Sequence, residues 1–118
     1  MAKESRLPRL ISSAQLALAE VLVLAKDAEG ALRAALDAQP LCARFGQQDS
    51  EWRAWLMAAR ASQIVGNRSA AQMYASRAQT LCDGLREKWG ADAFEGYLRR
   101  PDIQNYRSQI DQILSRSK

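Results

Sequence analysis

The sequence contains no histidine, and this absence excludes several kinds of chemistry. Histidine is the commonest metal ligand, the usual general base at neutral pH and the side chain whose charge changes near that pH. The two cysteines, Cys42 and Cys82, lie forty residues apart, with no CxxC pair and no histidine to complete a zinc site or activate a thiol. We therefore expect no metal and no cofactor, and we interpret both cysteines as small buried residues of helices.

Motifs of catalysis are also missing. The chain has no glycine-rich phosphate loop, and its six glycines fall where turns or helix ends are expected. No GxSxG sequence is present, and the thirteen acidic residues form no recognisable catalytic pair. The sequence therefore predicts a protein that is not an enzyme.

Long apolar runs and strand-forming segments are scarce. The longest apolar segment, AQLALAEVLVLA, is interrupted by Glu20 and is too short to span a bilayer. The N-terminal MAKESRLPRL lacks the charged-then-apolar layout of a secretion signal, so we expect a cytoplasmic protein that does not enter a membrane. Helix formers dominate, and even EVLVLA keeps a helical period, which predicts an all-α fold. At 118 residues, we expect residues 1–118 to form one domain.

The net charge of +4 is spread along the chain and is not gathered into a block. A scattered positive excess is typical of a solvated surface, so nucleic acid is not the expected partner. A small basic nucleic-acid-binding protein remains an alternative interpretation. The best patch for it lies in the C-terminal third and consists of Arg86, Lys88, Arg99, Arg100 and Arg107.

Two segments forty residues apart share a ladder of small residues. GALRAALDAQPLC begins at Gly30 and AAQMYASRAQTLC begins at Ala70, and both end in Leu-Cys. An ungapped alignment of residues 12–51 on 52–91 places identical residues at helical spacings: Ala14/Ala54, Leu16/Leu56, Ala19/Ala59, Ala31/Ala71, Ala35/Ala75, Ala38/Ala78, Leu41/Leu81 and Cys42/Cys82. Chance in an alanine-rich chain is the alternative. A fixed period of this size is typical of stacked helix pairs, so we interpret the two segments as repeats of one helical hairpin.

Turn and cap residues divide each repeat into two helices. In the second, Asp49 or Ser50 can cap a helix that begins near Glu51 and ends at Gly66-Asn67, before another helix. In the first, we expect a helix from about Ser12 to Lys26, a break and cap at Asp27, and a second helix from Ala28. Pro40 either ends that second helix near Gln39 or kinks it, because proline removes a helical hydrogen bond.

The second repeat resembles a tetratricopeptide repeat. The resemblance depends on residues at the spacings of that family's aromatic, small, turn and apolar positions: Trp55, Ala58, Ala59, Gly66, Asn67, Ala71, Tyr74, Ala75, Ala78 and Leu81. The first repeat matches less well, since Gln15 replaces the aromatic residue. The forty-residue period looks like that of extended variants in bacterial regulatory proteins. The resemblance implies a short array of antiparallel hairpins that forms a right-handed superhelix.

Residues 92–118 do not follow the repeat. The segment resembles the closing element of such arrays in bacterial signalling proteins, where a YL-x-x-P sequence precedes the last helix. Pro101-Asp102 can start a helix with an apolar stripe of Ile103, Tyr106, Ile110, Ile113 and Leu114. We expect this stripe to cap the last repeat, because a terminal helix must shield its exposed face.

The resemblance also implies a function, namely binding of a partner's peptide or helix on the concave face. The family's groove positions correspond to residues of the first helix of each hairpin: Leu16, Glu20, Val23, Arg53, Leu56, Arg60, Gln63 and Ile64, with Ser13 and Leu24 beside them. Two arginines on an apolar strip suit an acidic peptide, since arginine pairs bidentately with carboxylates. The sequence thus favours a non-catalytic protein–protein interaction module. Burial of the strip, or self-association through it as a homodimer, is the other interpretation.

Overall fold

Six helices make up the part of the chain that the computed structural model describes, residues 2–44 and 48–116, and this part contains no strand. For residues 2–9 and 116, the description covers the backbone alone. The helices are α1 (Ala2–Leu24), α2 (Ala28–Arg44), α3 (Gln48–Ile64), α4 (Arg68–Trp89), α5 (Ala91–Leu98) and α6 (Pro101–Arg116). The predicted all-α class is therefore confirmed over these ranges. None of these helices combines the length and apolar character needed to cross a membrane.

The first four helices form two hairpins that pack side by side. Helix α1 packs on α2, α3 packs on α4, and the hairpins meet where α2 and α1 contact α3. The repeated alanines lie at these contacts and are fully or almost fully buried: Ala19, Ala31, Ala35, Ala38, Ala59, Ala71, Ala75 and Ala78. Methyl side chains allow two helix axes to approach closely, because the interaxial distance depends on the side chains between them. The small-residue ladders are thus helix-packing surfaces.

The turns within the two hairpins are built from the same hydrogen bonds, forty residues apart. The amide of Asp27 donates to the carbonyl of Leu22 at 2.9 Å, and the amide of Asn67 donates to the carbonyl of Ser62 at 2.9 Å. This bond, between residues five apart, closes each helix end, and the residue just before the donor, Lys26 or Gly66, has positive φ. The helix after each turn is capped in the same way. The amide of Gly30 donates to Asp27 Oδ1 at 3.1 Å, and the amide of Ala70 donates to Asn67 Oδ1 at 3.1 Å. The predicted breaks at Asp27 and at Gly66-Asn67 are confirmed.

Helix boundaries differ from the predicted ones at three places. Helix α1 begins at Ala2, ten residues before the predicted start at Ser12. Helix α3 begins at Gln48, so Asp49 and Ser50 lie in its first turn and not before it. Helix α2 continues through Pro40 to Arg44, which excludes an end near Gln39. Packing between α2 and α3 outweighs the local cost of the proline, which removes only one amide donor near the end of the helix.

The C-terminal segment packs against the second hairpin. Helix α6 begins at Pro101 and packs on α4, α3 and the short α5. Its predicted apolar stripe faces this contact, since Ile103, Ile110 and Ile113 are buried and are 1%, 2% and 4% exposed. Phe94 of α5 is also buried. The end of the array at α4 is therefore covered by two helices of the same chain.

Candidate functional site

The predicted groove residues lie on neighbouring helices, α1 and α3, but burial separates them into distinct groups. Leu16 and Leu56, which are equivalent in the two repeats, are 7% and 0% exposed and belong to the core. They offer no surface to a partner, because α1 and α3 pack against each other and against α2 at this level. Ser13 and Leu24 lie on the exposed surface of α1.

Helices α5 and α6 cover Trp52, near the start of α3. Trp52 of α3 is fully buried, and its Nε1 donates a hydrogen bond to the hydroxyl of Tyr97 on α5 at 3.0 Å. The Trp52 ring also makes edge contacts with the rings of Tyr97 and Tyr106, at centroid distances of 6.4 Å and 6.1 Å. The hydroxyl of Tyr106 donates to Glu20 Oε1 at 2.9 Å, which ties α6 to α1. Glu20 is therefore engaged within the chain.

The two groove arginines have different surroundings, although they lie seven residues apart on α3. Arg53 is half-buried and turns back along its own helix, where Nε donates to the carbonyl of Asp49 at 3.2 Å and one amino group donates to Ser50 Oγ at 3.3 Å. Arg60 lies about one helical turn after Leu56 on α3, further along the helix from Trp52. Arg60 is also half-buried, and it lines an opening at the C-terminal ends of α1 and α3.

An open hollow of about 230 Å³ lies between the C-terminal ends of α1 and α3. We call it the α1–α3 hollow, and its lining consists of Val23, Lys26, Arg60, Gln63 and Ile64. Four of these five residues were predicted from the sequence as groove residues. Lys26 was not predicted as a groove residue. The signal that could have indicated it is its position just after the last turn of α1, which is the position that Gly66 has after α3.

The α1–α3 hollow carries two positive charges and no acidic lining residue. Within the described ranges, the ion pairs are Arg100–Asp102 and Arg107–Asp83, both elsewhere, so neither Lys26 nor Arg60 is neutralised by a carboxylate there. The apolar part of the wall is Ile64, which is half-buried, and the edge of Val23. Such a site can bind an anionic group beside an apolar one, because a guanidinium binds both oxygens of a carboxylate and lysine adds a point charge.

The basic residues considered for nucleic-acid binding do not form one free patch. Arg100 pairs with Asp102 at 2.7 Å and lies 5.7 Å from the centroid of the Tyr97 ring. Arg107 donates to Cys82 Sγ and to Asp83 Oδ1, both at 3.2 Å, and so joins α6 to α4. The remaining three, Arg86, Lys88 and Arg99, are exposed.

Both cysteines are free thiols and are fully buried, as predicted. Burial raises the pKa of the Cys42 thiol, and a hydrogen bond with Ser12 opposes this shift only in part. Burial also raises the pKa of the Cys82 thiol, against the opposing effect of Arg107. A buried thiol with a raised pKa is a poor nucleophile and a poor metal ligand. Among the described residues, no group of three or more His, Cys, Asp or Glu side chains could hold a metal ion.

Comparison with protein families, with curated proteins and with solved structures finds no match to this chain.

Proposed function

We propose that this chain is a non-catalytic protein–protein interaction module of the tetratricopeptide type, which binds an acidic segment of a partner protein in the α1–α3 hollow. The observation that carries the proposal is the convergence of Lys26 and Arg60, without a neutralising carboxylate among the described residues, beside the apolar Ile64. Two cations held together repel each other, and an anionic ligand removes that repulsion.

The arrangement of the hairpins supports the tetratricopeptide part of the proposal. The first helices of the two hairpins, α1 and α3, are in contact, and the second helix of one hairpin packs on the first helix of the next. The two turns share their hydrogen bonds at an offset of forty residues. In a right-handed superhelix of this type, first helices line the concave face, where the α1–α3 hollow would lie. A role in a bacterial signalling or regulatory protein in the cytoplasm belongs to the same proposal.

The size of the α1–α3 hollow limits the ligand to a short segment. A volume of about 230 Å³ accommodates one or two side chains, and the Trp52–Tyr97–Tyr106 cluster closes the groove toward the start of α3. The ligand is therefore the acidic end of a peptide or one turn of a helix. Its carboxylate would contact Arg60 and Lys26, and an adjacent apolar side chain would pack on Ile64.

Fluorescence anisotropy with short labelled peptides tests this proposal. The probes are peptides with two glutamates beside one leucine, and the same peptides with glutamine at both positions. We expect the acidic probes to bind and the glutamine probes to bind at least about 10-fold more weakly, since hydrogen bonds to charged groups contribute about 1.5–3 kcal/mol. Equal binding of both probe types, or no binding of either at about 1 mM, a level that corresponds to only about 4 kcal/mol, would refute the proposal.

Two charge-reversal variants locate the site. Arg60→Glu should abolish capture of the acidic probes, whereas the matched variant Arg86→Glu should retain it, because Arg86 is exposed on α4 outside the α1–α3 hollow. Arg53→Glu should have a smaller effect than Arg60→Glu, since Arg53 bonds within its own helix. Circular dichroism checks that each variant folds. Equal losses in the Arg60 and Arg86 variants would instead indicate a general charge effect.

Duplex DNA serves as the probe for the alternative partner. We expect no binding at low salt, because Arg100 and Arg107 are paired with acids. Binding that weakens steeply as salt rises would favour a nucleic-acid ligand over an acidic peptide.

A further inference from the structure

Helix α1 has an apolar face that no described part of the chain covers. We call this face the α1 stripe, and it consists of Leu10, Ala14, Ala17, Leu18, Val21 and Leu24. All six side chains are exposed, with Leu10 at 64%, Val21 at 60% and Leu24 at 69%. Five of the six follow an alternating spacing of four and three residues, from position 10 to position 24. This spacing is that of a helix seam that packs against another helix along its length.

The corresponding face of α3 shows what such a surface contacts in this fold. Of the six positions forty residues after the α1 stripe, 50, 54, 57, 58 and 61 are buried and 64 is half-buried, on the helix that packs against the preceding hairpin. Ala54, for example, is fully buried, whereas its counterpart Ala14 is exposed. The α1 stripe is therefore a helix-packing face whose equivalent in the second hairpin is covered by a helix.

The other end of the array is closed, and this limits the ways in which copies can join. Helices α5 and α6 pack on α4, and the salt bridge from Arg107 to Asp83 helps hold α6 there. The α1 stripe of one copy thus has no open array end of another copy to stack on. The same patch used twice about a two-fold axis is the remaining arrangement, and it forms a closed dimer.

We propose that a second copy of this chain covers the α1 stripe, with the two α1 helices antiparallel and the two-fold axis between Ala14 and Ala17. In this register Ala14 meets Ala17 of the second copy, so the helices approach closely at the centre. On each side of this central contact, Leu10 of one copy meets Val21 of the other. The seam has two alternating types of position, the a and d positions of a heptad. In this register the a residues Ala14 and Val21 face the d residues Ala17 and Leu10 of the second copy, as in antiparallel helix pairs.

Charge along the sequence favours the antiparallel direction. Between Arg9 and Glu20 the chain has no charged residue, so the α1 stripe itself is neutral. Residues 3–9 carry Lys3, Glu4, Arg6 and Arg9, a net charge of +2, and residues 20–29 carry Glu20, Lys26, Asp27 and Glu29, a net charge of −2. Antiparallel helices bring the basic beginning of one copy toward the acidic end of the other, whereas parallel helices would place like charges together. Opposite charges at the rim of an interface select orientation more than they add affinity.

The exposed area is large enough for a dimer, but only for a modest one. The six side chains expose roughly 500 Å², near the upper end of the largest apolar patch on a typical monomer. Two copies would bury about 1,000 Å² or more, which is the lower bound for a specific interface. We therefore expect a dimer whose population depends on concentration in the micromolar range. The inference does not depend on the proposed function, because the α1–α3 hollow is lined by other residues.

Sedimentation equilibrium of the full chain over a range of concentrations tests the dimer. The wild type should show a monomer–dimer equilibrium, and Val21→Glu should be monomeric throughout. Val65→Glu is the matched control, because Val65 is also an exposed valine, at 66%, and lies outside the α1 stripe. It should dimerise like the wild type. A wild type that stays monomeric up to about 1 mM overturns the proposal, and so does a Val21→Glu dimer.

Cysteine cross-linking tests the direction of the helices. A mixture of Leu10→Cys and Val21→Cys chains should form a disulfide-linked heterodimer under mild oxidation. Neither variant alone should cross-link, since the antiparallel register separates like positions by roughly 16 Å, beyond disulfide reach. The native cysteines are buried and should not interfere. Self-cross-linking of Leu10→Cys would indicate parallel helices and refute the proposed register.

Discussion

Lys26 and Gly66 occupy the same position in the two interhelical turns, and both have positive φ, 64° and 81°. Glycine adopts this conformation without steric cost, whereas a lysine is strained by its Cβ atom. Lys26 is the one non-glycine residue with positive φ in the described part of the chain. It also lines the α1–α3 hollow. Strained residues are concentrated at functional sites, so a lysine here agrees with a binding role.

Replacement of Lys26 by glycine should stabilise the protein. Relief of the strain is worth about 1–2 kcal/mol, and the greater freedom of glycine in the unfolded chain offsets about 0.5–1 kcal/mol of this. We expect a net increase in the free energy of unfolding of up to about 1 kcal/mol, measured by urea denaturation. The same variant should bind the acidic probes more weakly than the wild type.

The reverse substitution at the equivalent turn is the matched control. Gly66→Lys should lower the free energy of unfolding by a similar net amount, up to about 1 kcal/mol, because nothing lies within 4 Å of the added Cβ and only the backbone conformation is tested. If both substitutions changed stability in the same direction, the two turns would not be equivalent in energy.

Gly84→Ala should stabilise helix α4. Gly84 lies inside this helix, and an added Cβ would meet no atom within 4 Å. Alanine favours the helix over glycine by about 0.5–1 kcal/mol, so the free energy of unfolding should rise by that amount. Thermal and urea denaturation measure the change.

Gly30→Ala makes the contrasting case within helix α2. There the added Cβ would lie 2.7 Å from Asp27 Oδ2 and 3.2 Å from Leu22 Cδ1. It would displace the carboxylate that caps the helix through the Gly30 amide, a contact worth about 0.5–2 kcal/mol. We expect no gain in stability, or a loss. A gain equal to that of Gly84→Ala would show that the cap tolerates the methyl group.

Tyr97→Phe should weaken the fold at neutral pH and change its response to alkali. Removal of the hydroxyl leaves the buried Trp52 Nε1 without its acceptor, which costs about 1–3 kcal/mol. Burial raises the pKa of Tyr97 to about 12, whereas an unfolded tyrosine ionises near pH 10. The stability contributed by this raised pKa is fully present below pH 10 and is lost as the pH rises toward 12.

Urea denaturation between pH 8 and about 11.5 follows this loss, because the unfolded state releases the Tyr97 proton first. The wild type should lose stability more steeply in this range than Tyr97→Phe. Tyr106, whose pKa is also raised, chiefly by burial, is present in both proteins and acts as an internal reference. Identical pH dependence of the two proteins would contradict the assignment to Tyr97.

The two thiols should react slowly with a thiol reagent at pH 8. Both are buried with raised pKa values, so labelling requires local opening, and we expect rates at least about 100-fold below those of the unfolded chain. Arg107→Ala should accelerate labelling of Cys82, since Arg107 bonds to its sulfur and holds α6 nearby. Cys42 is the control within the same molecule. Equal acceleration of both, followed by mass spectrometry, would indicate general destabilisation.

Several features of the fold follow from residues close together in the sequence. The alanine ladder of Ala31, Ala35 and Ala38 predicted a buried helix face, because residues three and four apart share a face and small side chains allow close packing. Asp27 and Asn67 predicted the turns, because their side chains accept hydrogen bonds from the next helix. These signals depend on local spacing alone.

The candidate site could be predicted only in part, because exposure depends on which helices meet. Arg60, Gln63 and Ile64 line the α1–α3 hollow, whereas Leu16 and Leu56, which were assigned to the same groove, lie in the core. No local pattern indicates that Tyr106 bonds to Glu20, since 86 residues separate them.

The sequence by itself determined the helical class, the caps at Asp27 and Asn67 and the faces that are apolar, since hydrogen bonding and periodicity act within a few residues. Tertiary structure decided which apolar faces are covered. Ala54 is buried and Ala14 is exposed, although the two are equivalent in the repeat, because a hairpin packs against α3 and none in the described chain packs against the same face of α1. It also decided that Lys26 and Arg60 line one hollow, since this depends on how α1 and α3 pack.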